Sequence, residues 1–163
     1  MTEIIKNNDF IHLNNVLRHI ENVKQNCELI AEKLIRNGEF DLGKDLIQNS
    51  LIHDNSKLSG IEFLYLREEI KDSKPELFQA ALLQHNNTNP HHPEFYVGGI
   101  KEMPRIFIAE MLADWKARSE EFGSDLMDWI NESATKKFNF SKQCKIYKDI
   151  KDFVKLLLDK KFN

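Results

Sequence analysis

Leu51-Ile52-His53-Asp54-Asn55-Ser56-Lys57 is the stretch around which the chain is organised. An apolar helix end runs into a histidine, an aspartate follows at once, and a lysine comes three residues after the aspartate. Adjacent histidine and aspartate can offer a ring nitrogen and a carboxylate oxygen to one point. A shared carboxylate suits two metal ions, one of which also takes the histidine. On the N-terminal side, Asp41 can cap a helix carried inward by Leu42, Leu46, Ile47, Leu51 and Ile52 and ending at His53-Asp54. A longer helix precedes it, from near Asp9 to Arg36. There Val16, Val23, Ile30 and Leu34 recur at helical spacing, and Asn37-Gly38 ends the run. On the C-terminal side, Ser59 and Glu62 fit a capping box for a helix from Gly60 to Lys71.

Further out, Pro75 opens a helix bearing Leu77, Phe78, Ala81, Leu82 and, at its end, His85. A polar, turn-rich loop follows from Asn86 to Gly99. Pro104 opens the next helix, through Phe107, Met111 and Trp115. A short helix over Asp125–Ser133 and a last one capped by Ser141, with Ile146, Ile150, Phe153, Val154, Leu157 and Leu158 inside, complete the chain. No stretch alternates as a strand does, and no repeat or linker divides the sequence. The reading is one all-α domain over residues 1–163, of about five to seven helices.

Composition narrows the class. The 163 residues are 41% hydrophobic and 30% charged, which suits a globular domain with a sizeable core. A net charge of −3 argues against a duplex nucleic-acid binder with a basic surface. No run is apolar enough for a membrane span, and Met1 to Lys6 lack a signal peptide's apolar stretch. Cys27 and Cys144 lie far apart, as reduced thiols of a cytoplasmic protein would.

The histidines are His12, His19, His53, His85, His91 and His92. A single histidine on an apolar helix face is usually only a packed side chain. Here several fall at core-facing helix ends or in the polar loop, and Asp114 sits on a later apolar face beside Glu110 and Met111. His19, His53, Asp54, Asp114, His85 and His91 or His92 therefore form a candidate metal set. Nitrogen and carboxylate ligands without thiolate suit two divalent transition-metal ions drawn from Mn, Fe, Co, Ni or Zn. Such ions would acidify a bound water; the resemblance given below implies phosphorus as the target of its hydroxide, with Lys57 neutralising phosphoryl charge. Asp54 and Lys57 are then the candidate catalytic residues. Lys57, Arg105, Lys116 and Arg118 are candidate substrate-phosphate contacts, Tyr96 and Trp115 candidate stacking surfaces. His12 and Glu110 are candidates for outer roles, His12 facing substrate or a ligand and Glu110 orienting a histidine.

The ordered set resembles the HD-domain metal phosphohydrolases, whose signature is a helix histidine, a His-Asp pair and a later aspartate. Those are similar to His19, His53-Asp54 and Asp114. His85 and one of His91-His92 stand where two-metal members such as the HD-GYP phosphodiesterases carry further histidines, although the Gly-Tyr-Pro element of that group is missing. The chain is most similar to a small uncharacterised HD-like family sharing His-Asp-x-Ser-Lys, Asn-Pro-His-His and Glu-Met-x-x-Asp-Trp. The last is here Glu110-Met111-Leu112-Ala113-Asp114-Trp115. The resemblance implies a metal-dependent phosphohydrolase acting on a nucleotide, cyclic nucleotide or dinucleotide. The alternatives are a non-catalytic nucleotide- or protein-binding module and a di-iron oxygenase. A small-molecule, nucleotide-type substrate is expected as partner; self-association is left open.

Overall fold

The computed structural model describes residues 2–158, with side chains from residue 8 onward. Its regular elements are all helical, and no strand occurs among the described residues. They are α1 (Thr2–Arg36), α2 (Phe40–Ser50), α3 (Gly60–Tyr65), α4 (Glu68–Ser73), α5 (Pro75–Thr88) and α6 (Arg105–Phe122). Next comes α7, which runs from Leu126–Asp128 through a π-helical turn, Trp129–Ala134, into Thr135–Lys137. The last is α8 (Lys145–Leu157). Three 3₁₀ turns, Asn55–Leu58, Pro93–Phe95 and Gly99–Glu102, punctuate the connections. An all-α single-domain architecture is thus what the apolar spacing specified.

α6 is the axis of the molecule. Ile108 to Asp114 form an unbroken buried run, so this helix is enclosed on nearly every side rather than laid on a surface. Ala109, Ala113 and Ala117, one turn apart, are fully buried and leave room for a close neighbour. α1 takes that place, antiparallel, and Asn26 Nδ2 donates to the Ala113 carbonyl at 3.2 Å. α2 folds back on α1 through a helix-ending turn at Asn37-Gly38. Gly38 adopts φ 88°, the Glu39 amide reaches the Leu34 carbonyl at 2.9 Å, and α1 stops where the sequence said it would. α8 closes the core from the other side with Ile150, Phe153 and Val154.

Three local expectations are corrected. The single helix over 60–71 is two, α3 and α4, because Leu66 and Arg67 leave helical geometry and Arg67 takes extended backbone. Arg67 is buried at that break, with Nε donating to the Phe63 carbonyl at 2.8 Å and Nη1 paired with Asp9. Ser59 and Glu62 form no capping box; the Ser59 side chain makes no cap bond, and Glu62 is buried for another purpose. Ser141 does not cap the last helix, which starts after Cys144.

Candidate metal centre

α2 ends at Ser50, one turn earlier than its apolar pattern suggests, with the Ser50 hydroxyl donating to the Ile47 carbonyl at 2.7 Å. Leu51 and Ile52, expected to point inward, are instead 60% and 68% exposed. They form the outer side of a turn whose inner side is His53 and Asp54, both buried. Asp54 sits in the left-handed region, φ 54° and ψ 16°. Aspartate is one of the few non-glycine residues that tolerate this conformation. The turn delivers its carboxylate to the middle of the domain and sets Lys57 Nζ 2.5 Å from Asp54 Oδ2.

Four imidazoles converge on that carboxylate. His19 from α1 and His53 from the turn hold Nε2 3.5 Å from Asp54 Oδ2. His85 from α5 and His91 from the loop hold Nε2 3.5 and 3.3 Å from Asp54 Oδ1. Asp114 from α6 approaches His19 Nε2 at 3.1 Å. His92 completes the second half, its Nε2 lying 2.9 Å from His85 Nε2. His91 and His92 therefore both reach the cluster, and the choice between them is not needed. Ligand-type atoms fall into overlapping groups, each within 4.8 Å: Asp54, His85, His91 and His92; His19, His53 and Asp54; His53, His91 and Asp114.

The far side of each ring explains the near side. Nδ1 of His19, His53 and His85 lies 2.9 Å from a carboxylate oxygen of Glu121, Glu110 and Glu62 respectively. Glu110 Oε1 is also 3.4 Å from His91 Nδ1. A carboxylate at Nδ1 keeps the proton there and leaves a lone pair on Nε2. Lone pairs from several rings thus point at carboxylate oxygens, which are themselves acceptors. Nε2 of His19, His53 and His91, Oδ1 of Asp54 and Oδ1 of Asp114 are buried without a hydrogen-bond partner. Unpaired buried polar atoms are costly, and five aimed at one small volume fit a cation between them. Charge points the same way. Asp54, Glu62, Glu110 and Asp114 are buried carboxylates, and Lys57 is the one lysine or arginine whose ion pair reaches any of these four among the described residues. The cluster is one that could hold a metal ion.

Without an ion, protons must occupy its place. His19 is buried, which works against its charged form, yet its contacts with Asp114, Asp54 and Glu121 raise its pKa to about 10. His91 is raised in the same way, burial being outweighed by Asp54. His85 is lowered to about 4 by burial and by Lys57, and His92 to about 2 by burial and by His91. Asp54 and Asp114 stay well below the usual carboxylate range: burial opposes this, but Lys57 and His53 act on Asp54 and His19 on Asp114.

A cavity of about 710 Å³ opens onto the cluster, with His19, His85, His92 and Asp114 among its lining. Lys57 and Arg118 line it, as the sequence suggested, and so do Arg18, Arg67 and Lys137, which the sequence did not single out. Three expected substrate contacts are elsewhere. Arg105 pairs with Glu39 and lies over the Phe153 ring, 5.0 Å from its centre. Lys116 pairs with Glu120 along α6, and Tyr96 spends its hydroxyl on the Pro90 carbonyl at 2.9 Å. None of the three lines the cavity. Trp115 does, but it is stacked with Phe138 at 5.8 Å and meets Trp129 edge-on at 6.0 Å. Glu62 and Glu121 are the site residues that sequence reasoning missed. Both hold histidines more than twenty residues distant, a pairing no local pattern encodes.

Fold and site together define an all-helical domain built round a buried histidine–aspartate cluster able to take metal. The chain belongs to a family of unknown function (DUF5662), whose model matches residues 8–160. No curated protein and no solved structure matches it. No described helix is long and apolar enough to cross a membrane.

Proposed function

We propose that this protein is a metal-dependent phosphohydrolase of the HD type, acting on a nucleotide-type phosphate ester. One observation carries the reading: histidine Nε2 atoms, fixed as acceptors by carboxylates behind them, face acceptor oxygens of Asp54 and Asp114. His19, His53, Asp54 and Asp114 would hold one ion. Asp54, His85, His91 and His92 would hold the second, Asp54 belonging to both sets. Ions so held supply an acidified water and withdraw charge from phosphoryl oxygens. The remaining work falls to the chain. Glu62, Glu110 and Glu121 keep the rings in the ligating tautomer. Lys57 and Arg118, on the cavity wall beside the cluster, offset charge on the phosphate. The cavity wall carries five lysine or arginine side chains (Arg18, Lys57, Arg67, Arg118 and Lys137) against three carboxylates (Glu68, Asp114 and Glu121), an excess of positive charge that fits an anionic substrate. The test is phosphate release from nucleoside monophosphates, cyclic nucleotides and dinucleoside polyphosphates by protein loaded with Mn, Fe or Co. Turnover that disappears in Asp54→Asn supports the reading. Protein with both ions bound and inert towards all three classes overturns it.

A further inference from the structure

One buried, unpartnered polar atom lies outside the cluster. Of the six such side-chain atoms among the described residues, five belong to His19, His53, Asp54, His91 and Asp114, and the sixth is Nε2 of His12. His12 lines the same cavity, its ring 5.2 Å from that of Phe63. Leu66, Phe78 and Leu82 line the cavity too, as does Arg67, whose guanidinium is held by the Phe63 carbonyl and Asp9. Arg67, Glu69, Asp9 and Lys57 are the charged groups that act on the His12 ring. Apolar side chains with a few fixed polar groups are what small-molecule sites are lined by. A nitrogen left bare there is satisfied by whatever enters.

Position says what enters. His12 and His19 are seven residues apart on α1, so they share a face and lie about 10 Å apart along the helix. That is the order of separation between a 5′-phosphate and the far edge of its base. The aromatic part of the wall is less suited to reading a base. Trp115, Trp129 and Phe138 pack on one another, and none of the three carries a bare buried polar atom. We propose that the lobe beside His12 receives the heterocyclic base of a nucleoside 5′-phosphate, with His12 Nε2 hydrogen-bonded to the edge of that base. This rests on the phosphohydrolase reading for the seat of the phosphate. Burial and the nearby Arg67 keep His12 below its ordinary pKa, so the ring is neutral and has one donor and one acceptor nitrogen.

The experiment compares binding of AMP, GMP, CMP, UMP and ribose 5-phosphate, each as its non-hydrolysable 5′-methylenephosphonate, to the manganese-loaded full chain by calorimetry. At least one nucleotide should bind about ten-fold more tightly than ribose 5-phosphate. In His12→Phe that advantage should largely vanish while ribose 5-phosphate binding stays as it was. His12→Gln, which restores a polar side chain, should recover part of it, and carries the comparison if His12→Phe does not fold. Nucleotides bound no better than ribose 5-phosphate would overturn the proposal. So would a His12→Phe loss that is equal for nucleotides and ribose 5-phosphate. A base preference that depends on His12 in a protein that hydrolyses nothing would uphold the lobe and refute the phosphohydrolase reading, so the two failures are distinguishable.

Discussion

Glu110 is where the account is easiest to break. Its buried Oε1 lies 2.9 Å from His53 Nδ1 and 3.4 Å from His91 Nδ1, so one oxygen orients a histidine in each half of the cluster. Glu110→Gln keeps the shape and an acceptor oxygen but removes the charge. A charge-assisted bond becomes a neutral one of roughly half the strength, and metal affinity should fall about 10-fold. Glu110→Ala removes the acceptor itself. Both rings can then take the proton on Nε2, which disables them as ligands, and affinity should fall about 100-fold, or about 2.7 kcal/mol. The assay is competition for manganese or zinc against a chelator of known affinity, with circular dichroism to establish that the helices persist. Graded loss in the order wild type, Gln, Ala is the expected result. Unchanged affinity in a folded Glu110→Ala would refute the claim that outer carboxylates set the ligand state.

Other outcomes follow from the same geometry. Glu62→Gln should weaken binding less than Glu110→Ala, about 10-fold, because Glu62 meets one cluster histidine, His85, where Glu110 meets two; metal competition reads this directly. Lys57→Ala should lower turnover by about 10- to 100-fold with metal content intact, since its proposed role is to meet phosphoryl charge; loss of metal would reassign Lys57 to holding Asp54, which it contacts. Saturating metal at about 1,000 times its dissociation constant should add about 4 kcal/mol, raising the thermal midpoint by roughly 10 °C, and chelation should reverse it. The metal-free protein should also respond to pH. His85 and His92 have folded pKa values below 6.5, so the stability they confer is complete above that value and drains away as pH falls towards 4 and 2. His19 is raised to about 10, so its contribution is complete below 6.5 and is lost as pH rises through 10. Denaturant midpoints of the chelated protein between pH 4 and 10 should decline at both ends.

Legibility in the sequence divided along the reach of the interactions. Helix faces, the Gly38 stop and the Pro75 start were readable because each depends on residues within a turn or two. The metal-type residues were readable because histidine and aspartate on apolar faces are rare enough to stand out, and His19, His53, Asp54, His85, His91, His92 and Asp114 do meet. The turn that carries Asp54 was not readable. An apolar pair, Leu51-Ile52, looks like a helix end pointing inward, whereas burial of the two residues after it forces the pair outward. Glu62 looked like a capping residue because Ser59 stands at the right spacing; a buried histidine twenty-three residues later had the stronger claim on its carboxylate. The surface cations were the least legible. Nothing in the local pattern tells Arg118, on the cavity wall and paired with Glu121, from Arg105, away from it and paired with Glu39.

The shared Asp54 carboxylate is the centre of the account, and elemental analysis tests it most directly. Asp54→Asn suits the comparison, because asparagine also tolerates the left-handed backbone at this position and the turn should survive. The reconstituted wild type should retain about two divalent ions per chain, as two overlapping ligand sets sharing one carboxylate require, and folded Asp54→Asn should retain almost none. A wild type that retains none, or an Asp54→Asn that retains both, would contradict it.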